Sequence, residues 1–572
     1  MDSRRKSFNL KAGIIICLVI GIGVISSIDP SERPIMDQTT LRFSAARAYD
    51  TTREFVTQFP MRLFGSLESR QSTGYLTDKL ASIGYEVEYI HFDGRTGGGQ
   101  RAGRNVLAYK PGETDEIIVV TAHFDTARPT VQGAAKNGAA VGVLMELAEL
   151  FFEENTRRSL LFVFTDGGEW GSTGVNDLLL NYEKKDRITA ALTLDHVVPG
   201  DLAGFRLDTV GRSGVSAPRG FQGLARDVVK EQTRNVPVKL SRAEFLERAF
   251  PVSRSEHGQF LKMRIPAINL GSFSTDRLRE KAILHSPEDT IENLKLETVD
   301  QYGRVAEQIV RSLAKSPEAL YRSERRWTPS GIYGGIHQVC GIILFLVAMK
   351  LFMQIKKSRK ILNFAQTGRE LMAFFAVWIP FLILFSGIKL AYAARQFPFY
   401  DLYPAIAKDP VMQNPPWKIF AIIAASVLFV AVAVWVIARY FLREWTKPDY
   451  RNSCAALWGV LSVTIVLATV YNPFWGMVLF AAPGLLWSMP QIGKNADKKI
   501  FNTAYIASAA VPSCLATLWL AAQLGFGLNF FWYQTLALTT RLSSPAAYFM
   551  GTAVIAVGIR FMVISRFQKP IW

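Results

Sequence analysis

Cysteine is scarce in this chain, and its few cysteines are placed where they cannot cross-link a soluble domain. Four occur among 572 residues, and each lies inside a long apolar run: Cys17, Cys340, Cys454 and Cys514. Their spacing matches no metal-binding motif. Disulfide scaffolds and cysteine-ligated metal sites are therefore excluded, and the thiols are predicted to be buried structural residues.

N-glycosylation acceptors are also absent, since no Asn-x-Ser/Thr triplet occurs between residues 29 and 330. This favours a bacterial inner membrane over the endoplasmic reticulum as the location of the chain. The formal net charge of +17 is high, but many of the Lys and Arg residues cluster beside the apolar runs, where such residues set membrane orientation. Membrane lipids are therefore predicted as partners, and nucleic acid is not.

Hydrophobic residues make up 49% of the chain, and their uneven distribution divides it into three parts. Residues 1–28 are a basic tail and an uncharged run, 12–28, which predicts a signal-anchor helix; the alternative, a cleaved signal peptide, lacks a clear cleavage site. Residues 29–330 have the mixed composition of a soluble domain, which the anchor would place outside the cytoplasm. Residues 331–572 are a succession of apolar runs and are predicted to be a seven-span transmembrane domain.

The seven later spans have about the length needed to cross a bilayer. They are 331–353, 371–393, 419–440, 453–471, 474–492, 502–524 and 545–565. Lys and Arg accumulate in alternate connections, so the positive-inside rule predicts eight spans in all, with both termini in the cytoplasm. The segment 526–540 is too short to span comfortably and is predicted to be re-entrant or interfacial.

Acidic residues are missing from all seven of these predicted spans. Ion-coupled transporters usually need intramembrane carboxylates, so a transporter accessory is disfavoured. His337 is predicted to be a hydrogen-bonded structural histidine. The bundle is therefore predicted to be a scaffold or lipid-facing domain.

The middle part of the chain alternates between helical and strand patterns. Segments 41–56 and 69–84 repeat apolar residues at helical spacing. Short β-branched or aromatic runs bounded by turns occur at 86–92, 105–110, 116–123, 159–165 and 189–195. Such alternation predicts an α/β sandwich with a mainly parallel central sheet.

Polar residues collect where these predicted strands end, and a later loop, LHSPEDT, adds to them. They are His123, Asp125, Asp166, Glu169, Asp195, His285 and Asp289. Ligand sites in parallel sheets lie beyond the carboxyl ends of the strands. Histidines together with carboxylates are typical zinc ligands, so the sequence predicts a zinc constellation at this edge.

Taken in order, these motifs resemble the zinc aminopeptidase-like family of di-zinc aminopeptidases and glutaminyl cyclases, in a membrane-anchored, multi-span form. The resemblance covers residues 40–315. It rests on FSAARAY, PMRLFGSLESRQS, HFD, FVFTDGGEWGSTG, LTLD, SEHGQFLKMRIPAINL and HSPEDT. It implies an aminopeptidase-like fold with metal-ligand positions at His123, Glu169, Asp195 and His285. It also implies that Asp125 orients the first histidine.

The chain departs from this family where a metal-bridging aspartate is expected. In the loop GAAKNGAAVG, Lys136 stands at that position, and no acidic residue between Asp125 and Glu146 restores the bridge by a shift of register. An ammonium cannot ligate a cation while it is protonated. Three alternatives stay open: an ion pair of Lys136 with Asp195 and Glu169, a lysine pointing into solvent, and one weakly held metal.

Two further departures affect other catalytic roles. In DGGEWG, Gly168 replaces the glutamate that serves the family as general base, a role that contributes about 10²–10⁴-fold to rate. Leu284 precedes His285 where many members have a tyrosine that stabilises the oxyanion. Three departures in one pocket indicate a degenerate metal site.

The run SEHGQF places Glu256 and His257 where the family lines its substrate pocket; helix capping by Ser255 is the alternative for this run. A retained pocket wall favours binding without cleavage. The chain is therefore predicted to be a membrane-anchored pseudopeptidase that binds a peptide, protein or lipid-linked partner and needs no cofactor. The alternative is an active membrane-bound zinc metallopeptidase of aminopeptidase type with an altered, mononuclear metal site.

Overall fold

The structure is a computed structural model. It describes residues 34–96, 99–211, 215–233, 255–316, 332–358, 364–393, 450–487, 507–524, 527–532 and 545–566, with isolated positions at 249 and between 421 and 436. The predicted anchor helix 12–28 lies outside these residues, as does most of the predicted span 419–440.

A seven-stranded sheet forms the centre of residues 34–316, which are called the α/β domain below. Its strands are β1 (Val87–Thr96), β2 (Gly99–Lys110), β3 (Thr114–His123), β4 (Arg158–Thr165), β5 (Ile188–Leu194), β6 (Leu202–Asp208) and β7 (Ala267–Ser274), in the spatial order β1-β2-β4-β3-β5-β7-β6. The four central strands are parallel, and the outer pairings are antiparallel. The predicted α/β sandwich with a parallel sheet at its centre is therefore confirmed.

Eight helices are described in the α/β domain. They are α1 (Ala45–Gln58), α2 (Leu67–Ile83), α3 (Ala139–Phe152), α4 (Thr173–Asn181), α5 (Arg219–Thr233), α6 (His257–Lys262), α7 (Arg277–Ile283) and α8 (Leu296–Lys315). Local chemistry fixes the ends of α2: the Ser66 hydroxyl accepts the backbone N–H of Ser69 (3.1 Å), and Gly84 follows the helix at φ 114°, which suits glycine.

The central strands are buried on both faces. Every residue of β4 is buried, and because successive side chains of a strand point to opposite faces, both faces must be covered. This explains why β3 and β4 read as continuous apolar runs. The predicted helices and the five predicted strands are all present, whereas β6 and β7 were not predicted. In β6, Gly204 and the exposed Arg206 interrupt the apolar pattern.

Apolar helices make up the described part of residues 332–566. They are α9 (Ile332–Ser358), α10 (Phe364–Ala393), α11 (Tyr450–Tyr471), α12 (Pro473–Trp487), α13 (Val511–Leu524) and α14 (Pro545–Arg566). Three described stretches are long and apolar enough to cross a membrane: Ala365–Leu390, Asn452–Tyr471 and Pro545–Ile564. Membrane association is thus supported, whereas the number of eight spans and their orientation stay predictions.

The prediction that the apolar spans contain no acidic residue is wrong for α10. Helix α10 begins before the predicted span 371–393, so Glu370 lies inside the apolar stretch Ala365–Leu390. Its carboxylate forms two 2.8 Å bonds with the guanidinium of Arg560 in α14, and both side chains are buried. A hydropathy window stops at a charged residue, but an ion pair with a distant helix allows that residue to be buried.

The predicted burial of the cysteines is correct for Cys340 and Cys454 but wrong for Cys514. Cys514 lies on the face of α13 that also exposes Leu515 and Leu518, so this helix turns an apolar face outward. Cys17 lies outside the described residues. Of the segment 526–540, residues 527–532 are described and begin with a 3₁₀ turn at Gly527–Asn529; the side chain of His337 is not among those described.

Candidate functional site

The predicted site residues meet at the carboxyl edge of the sheet. His123 is the last residue of β3, Asp195 follows β5, and Glu169 lies in the turn after β4. Nε2 of His123 is 3.5 Å from Oδ1 of Asp195, and Nδ1 of His285 is 3.7 Å from Oε1 of Glu169. Parallel strands end at the same edge, and this brings together residues that are far apart in the chain.

Asp125 holds the first histidine and the turn after β4. Its Oδ1 lies 3.1 Å from Nδ1 of His123 and accepts the backbone N–H of Gly168 (2.7 Å), and its Oδ2 accepts that of Glu169 (3.1 Å). Burial opposes protonation of His123, but its bonds to Asp125 and Asp195 outweigh burial and raise the pKa of the imidazole well above its ordinary value. Asp125 therefore takes the orienting position that the resemblance implied.

The ammonium of Lys136 lies between two carboxylates of the site. Nζ is 2.5 Å from Oδ1 of Asp195 and 3.8 Å from Oε1 of Glu169. The side chain is only 15% exposed, so the alternative in which Lys136 points into solvent is wrong and the internal ion pair is confirmed. Although burial disfavours the charge, Asp195 and Glu169 outweigh it and raise the pKa of Lys136.

Asp289 binds the backbone of the loop that carries Lys136. Lys136 lies in one π-helical turn, Ala134–Gly138, that leads into α3. The carboxylate of Asp289 accepts the backbone N–H groups of Ala135 (2.7 Å) and Lys136 (3.2 Å), and its carbonyl accepts that of Gly133 (3.0 Å). From the sequence alone, Asp289 is predicted only to lie near His285. Its hydrogen-bond partners, Ala135 and Lys136, are more than a hundred positions away, so the sequence does not indicate them.

Asp195 is held in its charged form from several sides. Burial alone would raise the pKa of Asp195, but Lys136 and His123 outweigh burial and lower it well below its ordinary value. The hydroxyl of Ser255 donates to Oδ2 of Asp195 (2.8 Å). The helix-capping alternative for Ser255 is wrong, since Glu256 precedes α6 and makes no side-chain cap bond.

Gly168, at the position of the missing general base, is packed against the imidazole of His123. A Cβ atom at Gly168 would lie 2.2 Å from Cγ and 2.3 Å from Cβ of His123. No side chain fits there unless the histidine moves. Leu284, the third departure, ends α7 immediately before His285.

The two predicted pocket residues are both buried. The carboxyl of Glu256 accepts the hydroxyls of Thr121 (3.1 Å) and Thr165, which lie in neighbouring central strands, and burial raises the pKa of Glu256 to about 7. Nε2 of His257 lies 3.2 Å from the carbonyl of Val210, and burial lowers the pKa of His257. Glu256 thus joins the sheet to α6 beneath the site.

The donor set does not fit the two-metal centre that the resemblance implies. Within the described ranges, no three His, Cys, Asp or Glu side chains are arranged to hold a metal ion. The Lys136 ammonium instead neutralises the carboxylates of Asp195 and Glu169, and Nε2 of His123 is directed at Asp195. A second cation at this position would meet a positive charge in place of a bridging carboxylate.

Comparison with known proteins identifies the framework that holds this site. Residues 105–310 match the family model described as Peptidase family M28. They are a peptidase family M28 domain. All of the site residues described above lie within these limits, so the M28 domain provides the α/β framework and the predicted resemblance to the zinc aminopeptidase-like family is confirmed.

Individual relatives match only part of this chain. The alkaline phosphatase isozyme conversion protein of Escherichia coli (strain K12) is 29% identical over 31% of this chain and 56% of its own length. Transferrin receptor protein 2 of Mus musculus is 28% identical over 32% of this chain and 23% of its own length. Among solved structures, the zinc aminopeptidase BSAP of Bacillus subtilis has a TM-score of 0.42 at 15% identity and covers 50% of this chain and 100% of that one. The chain therefore spans about half, or less, of the length of the curated relatives named here.

Proposed function

We propose that the chain is a membrane-anchored pseudopeptidase, whose M28 domain binds a peptide, protein or lipid-linked partner without hydrolysing it. The observation that carries the proposal is the ammonium of Lys136, which lies 2.5 Å from Asp195 and 3.8 Å from Glu169. A protein cation thereby takes over the charge neutralisation that metal ions supply in active members of such families.

The position of the general base supports the same proposal. A base must reach the proton that it abstracts, and Gly168 offers no side chain. The His123 ring also fills the space in which such a side chain would begin. Two roles, bridging a metal and activating water, are thus lost through different residues.

The proposed arrangement in the membrane follows from the sequence. Residues 1–28 would be a cytoplasmic tail and anchor, 29–330 an extracytoplasmic domain, and 331–572 a seven-span scaffold, in a bacterial inner membrane. One relative, transferrin receptor protein 2, carries the name of a receptor rather than a hydrolase, which is compatible with a binding role for this domain.

Metal content and hydrolysis distinguish this proposal from the alternative of an active zinc metallopeptidase with a mononuclear site. Purified full-length protein is expected to contain less than about 0.1 zinc per chain after dialysis against zinc-containing buffer, because an ammonium and a metal ion exclude each other at Asp195. It should also release no chromophore from amino-acid p-nitroanilides. Stoichiometric zinc together with hydrolysis that Glu169→Ala abolishes would overturn the proposal. In the same assay, Lys136→Asp should bind more zinc than the wild type.

A further inference from the structure

The connection between two apolar helices contacts the α/β domain. Nδ2 of Asn472, which lies between α11 and α12, donates to the carbonyl of Ala249 (3.4 Å). Ala249 is 1% exposed and belongs to the same buried cluster as side chains of α9, α11 and α12. The bundle of apolar helices therefore packs against the chain at Ala249.

This contact is close to the candidate site along the chain. Ser255, whose hydroxyl donates to Oδ2 of Asp195 (2.8 Å), follows Ala249 by six positions. Six residues span at most about 20 Å, whatever their conformation. The next residue, Glu256, bonds to two threonines near the carboxyl ends of β3 and β4. The carboxyl ends of the central strands and the loops that follow them, called the site edge here, thus lie within about 20 Å of the bundle.

Exposed apolar side chains of the α/β domain collect at the site edge. Among its described residues, eight leucine, isoleucine, valine or methionine side chains are exposed. Five of the eight lie at the site edge: Met61, Leu67, Val131, Leu278 and Leu296. Exposed apolar residues that collect on one side of a domain mark an interaction surface.

Hydrogen bonds place these residues at the site edge. The backbone N–H of Met61 donates to the carbonyl of Val131 (2.7 Å), in the loops beside the end of β3. Helix α2, which begins at Leu67, donates a hydroxyl to Asp166 (2.9 Å), the residue that follows β4. Helix α8, which begins at Leu296, donates a hydroxyl to the connection between β5 and β6 (2.8 Å). The apolar residues therefore surround the same strand ends as the site.

Helix α7 adds basic residues to this surface. It follows the carboxyl end of β7, and its Leu278 is 82% exposed. Arg277 pairs with Glu280 (2.9 Å). Arg279 and Lys281 are also exposed, and among the residues that the structure describes no carboxylate pairs with either of them. An exposed leucine beside such cations is typical of segments that bind the surface of anionic membranes.

From these contacts we infer that the site edge lies against the bilayer surface beside the connection of α11 and α12, where it binds anionic phospholipid headgroups. Leu278 enters the headgroup layer, which is about 5–8 Å thick, and Arg279 and Lys281 contact the headgroups. Each such cation near an anionic surface favours binding by roughly five-fold. This surface contact does not depend on whether the site binds a partner or hydrolyses a peptide, so its test is separate from that of the proposed function.

Two exposed leucines allow the orientation to be measured on the full-length protein. Leu180, which is 53% exposed, lies near the end of α4 and before β5 begins, at the opposite edge of the sheet from Leu278. Leu278→Cys and Leu180→Cys are labelled with a maleimide donor dye in nanodiscs of phosphatidylcholine and phosphatidylglycerol that contain acceptor-labelled headgroups. Labelled wild-type protein gives the background from the native cysteines.

Energy transfer from Leu278→Cys is expected to be at least about two-fold higher than from Leu180→Cys, because β5 alone separates the two edges by about 20 Å. Equal transfer, or higher transfer from Leu180→Cys, would overturn the inference.

Photo-crosslinking tests the choice of headgroup in the same nanodiscs. Benzophenone-maleimide at Leu278→Cys should give lipid adducts in which phosphatidylglycerol exceeds an equal supply of phosphatidylcholine by at least about three-fold. Arg279→Gln combined with Lys281→Gln should bring this ratio close to one. The matched control is Lys262→Gln combined with Arg264→Gln, which removes two exposed cations beside Met263 at the opposite edge and should leave the ratio unchanged. Equal recovery of the two lipids from Leu278→Cys, or no lipid adduct at all, would refute the binding of anionic headgroups.

Discussion

Replacing Lys136 with methionine removes the cation that neutralises the carboxylates of the site while keeping most of the side-chain volume. Asp195 and Glu169, whose side chains are 8% and 7% exposed, would then remain buried, with His123 3.5 Å from Asp195 and His285 3.7 Å from Glu169. Removing one partner of a buried ion pair typically costs about 3–5 kcal/mol, because the other charge is left uncompensated.

The expected loss is large enough to measure by thermal unfolding. In a domain of this size, 1 kcal/mol shifts the midpoint by about 2–4 °C, so the loss corresponds to a Tm lowered by roughly 10 °C. Differential scanning fluorimetry of the full-length protein in detergent measures this shift. The matched control is Lys295→Met, which breaks an exposed pair with Asp201 (2.6 Å); such pairs contribute about 0–1 kcal/mol.

A second variant separates charge from packing. Lys136→Met combined with Asp195→Asn removes the ammonium and the nearer of its two carboxylates, and should recover about half of the lost stability, since a neutral pair carries a smaller desolvation penalty. If Lys136→Met unfolds at the same temperature as Lys295→Met, the ammonium is not a buried counter-ion and the proposed charge replacement is refuted.

Three further predictions concern other parts of the structure. Gly168→Ala should lower stability by about 1–3 kcal/mol, because its Cβ would lie 2.2 Å from the neighbouring imidazole; an unchanged Tm would contradict that packing. The Tm difference between wild type and Asp195→Asn should be smaller at about pH 3 than at about pH 6. The folded-state pKa of Asp195 is depressed, so the stability that its charge contributes is complete above the unfolded pKa. That stability is lost as the pH falls toward the folded-state pKa. Arg560→Gln should cost about 3 kcal/mol and be partly rescued by Glu370→Gln in thermal aggregation assays; equal behaviour of single and double variants would argue against the buried pair.

Strand ends were the most informative part of the sequence. Continuous apolar runs such as 116–123 and 159–165 predicted central strands, and the polar residues that follow them predicted the site edge. This worked because parallel strands align their carboxyl ends irrespective of side-chain detail. The ion pair of Lys136 is one of the alternatives that the sequence leaves open, because two facing carboxylates repel each other unless a cation lies between them.

Contacts between residues distant in sequence were not predictable in the same way. The imidazole packed on Gly168 depends on the path of two loops, and the bond between Glu370 and Arg560 joins positions that are 190 residues apart. Strand β6 escaped prediction because an antiparallel edge strand needs no apolar run. The burial of Glu256 also required the structure, since its threonine partners come from two other strands.

The packing of His123 on Gly168 has a consequence for how this site changes over evolutionary time. A codon change that restored glutamate at position 168 would introduce a Cβ into the ring of His123, so the variant would lose stability before it gained a base. The opposite order, in which the histidine moves first, would disturb its bonds to Asp125 and Asp195. A glutamate at position 168 therefore requires two coordinated changes, one at that position and one in the packing of His123.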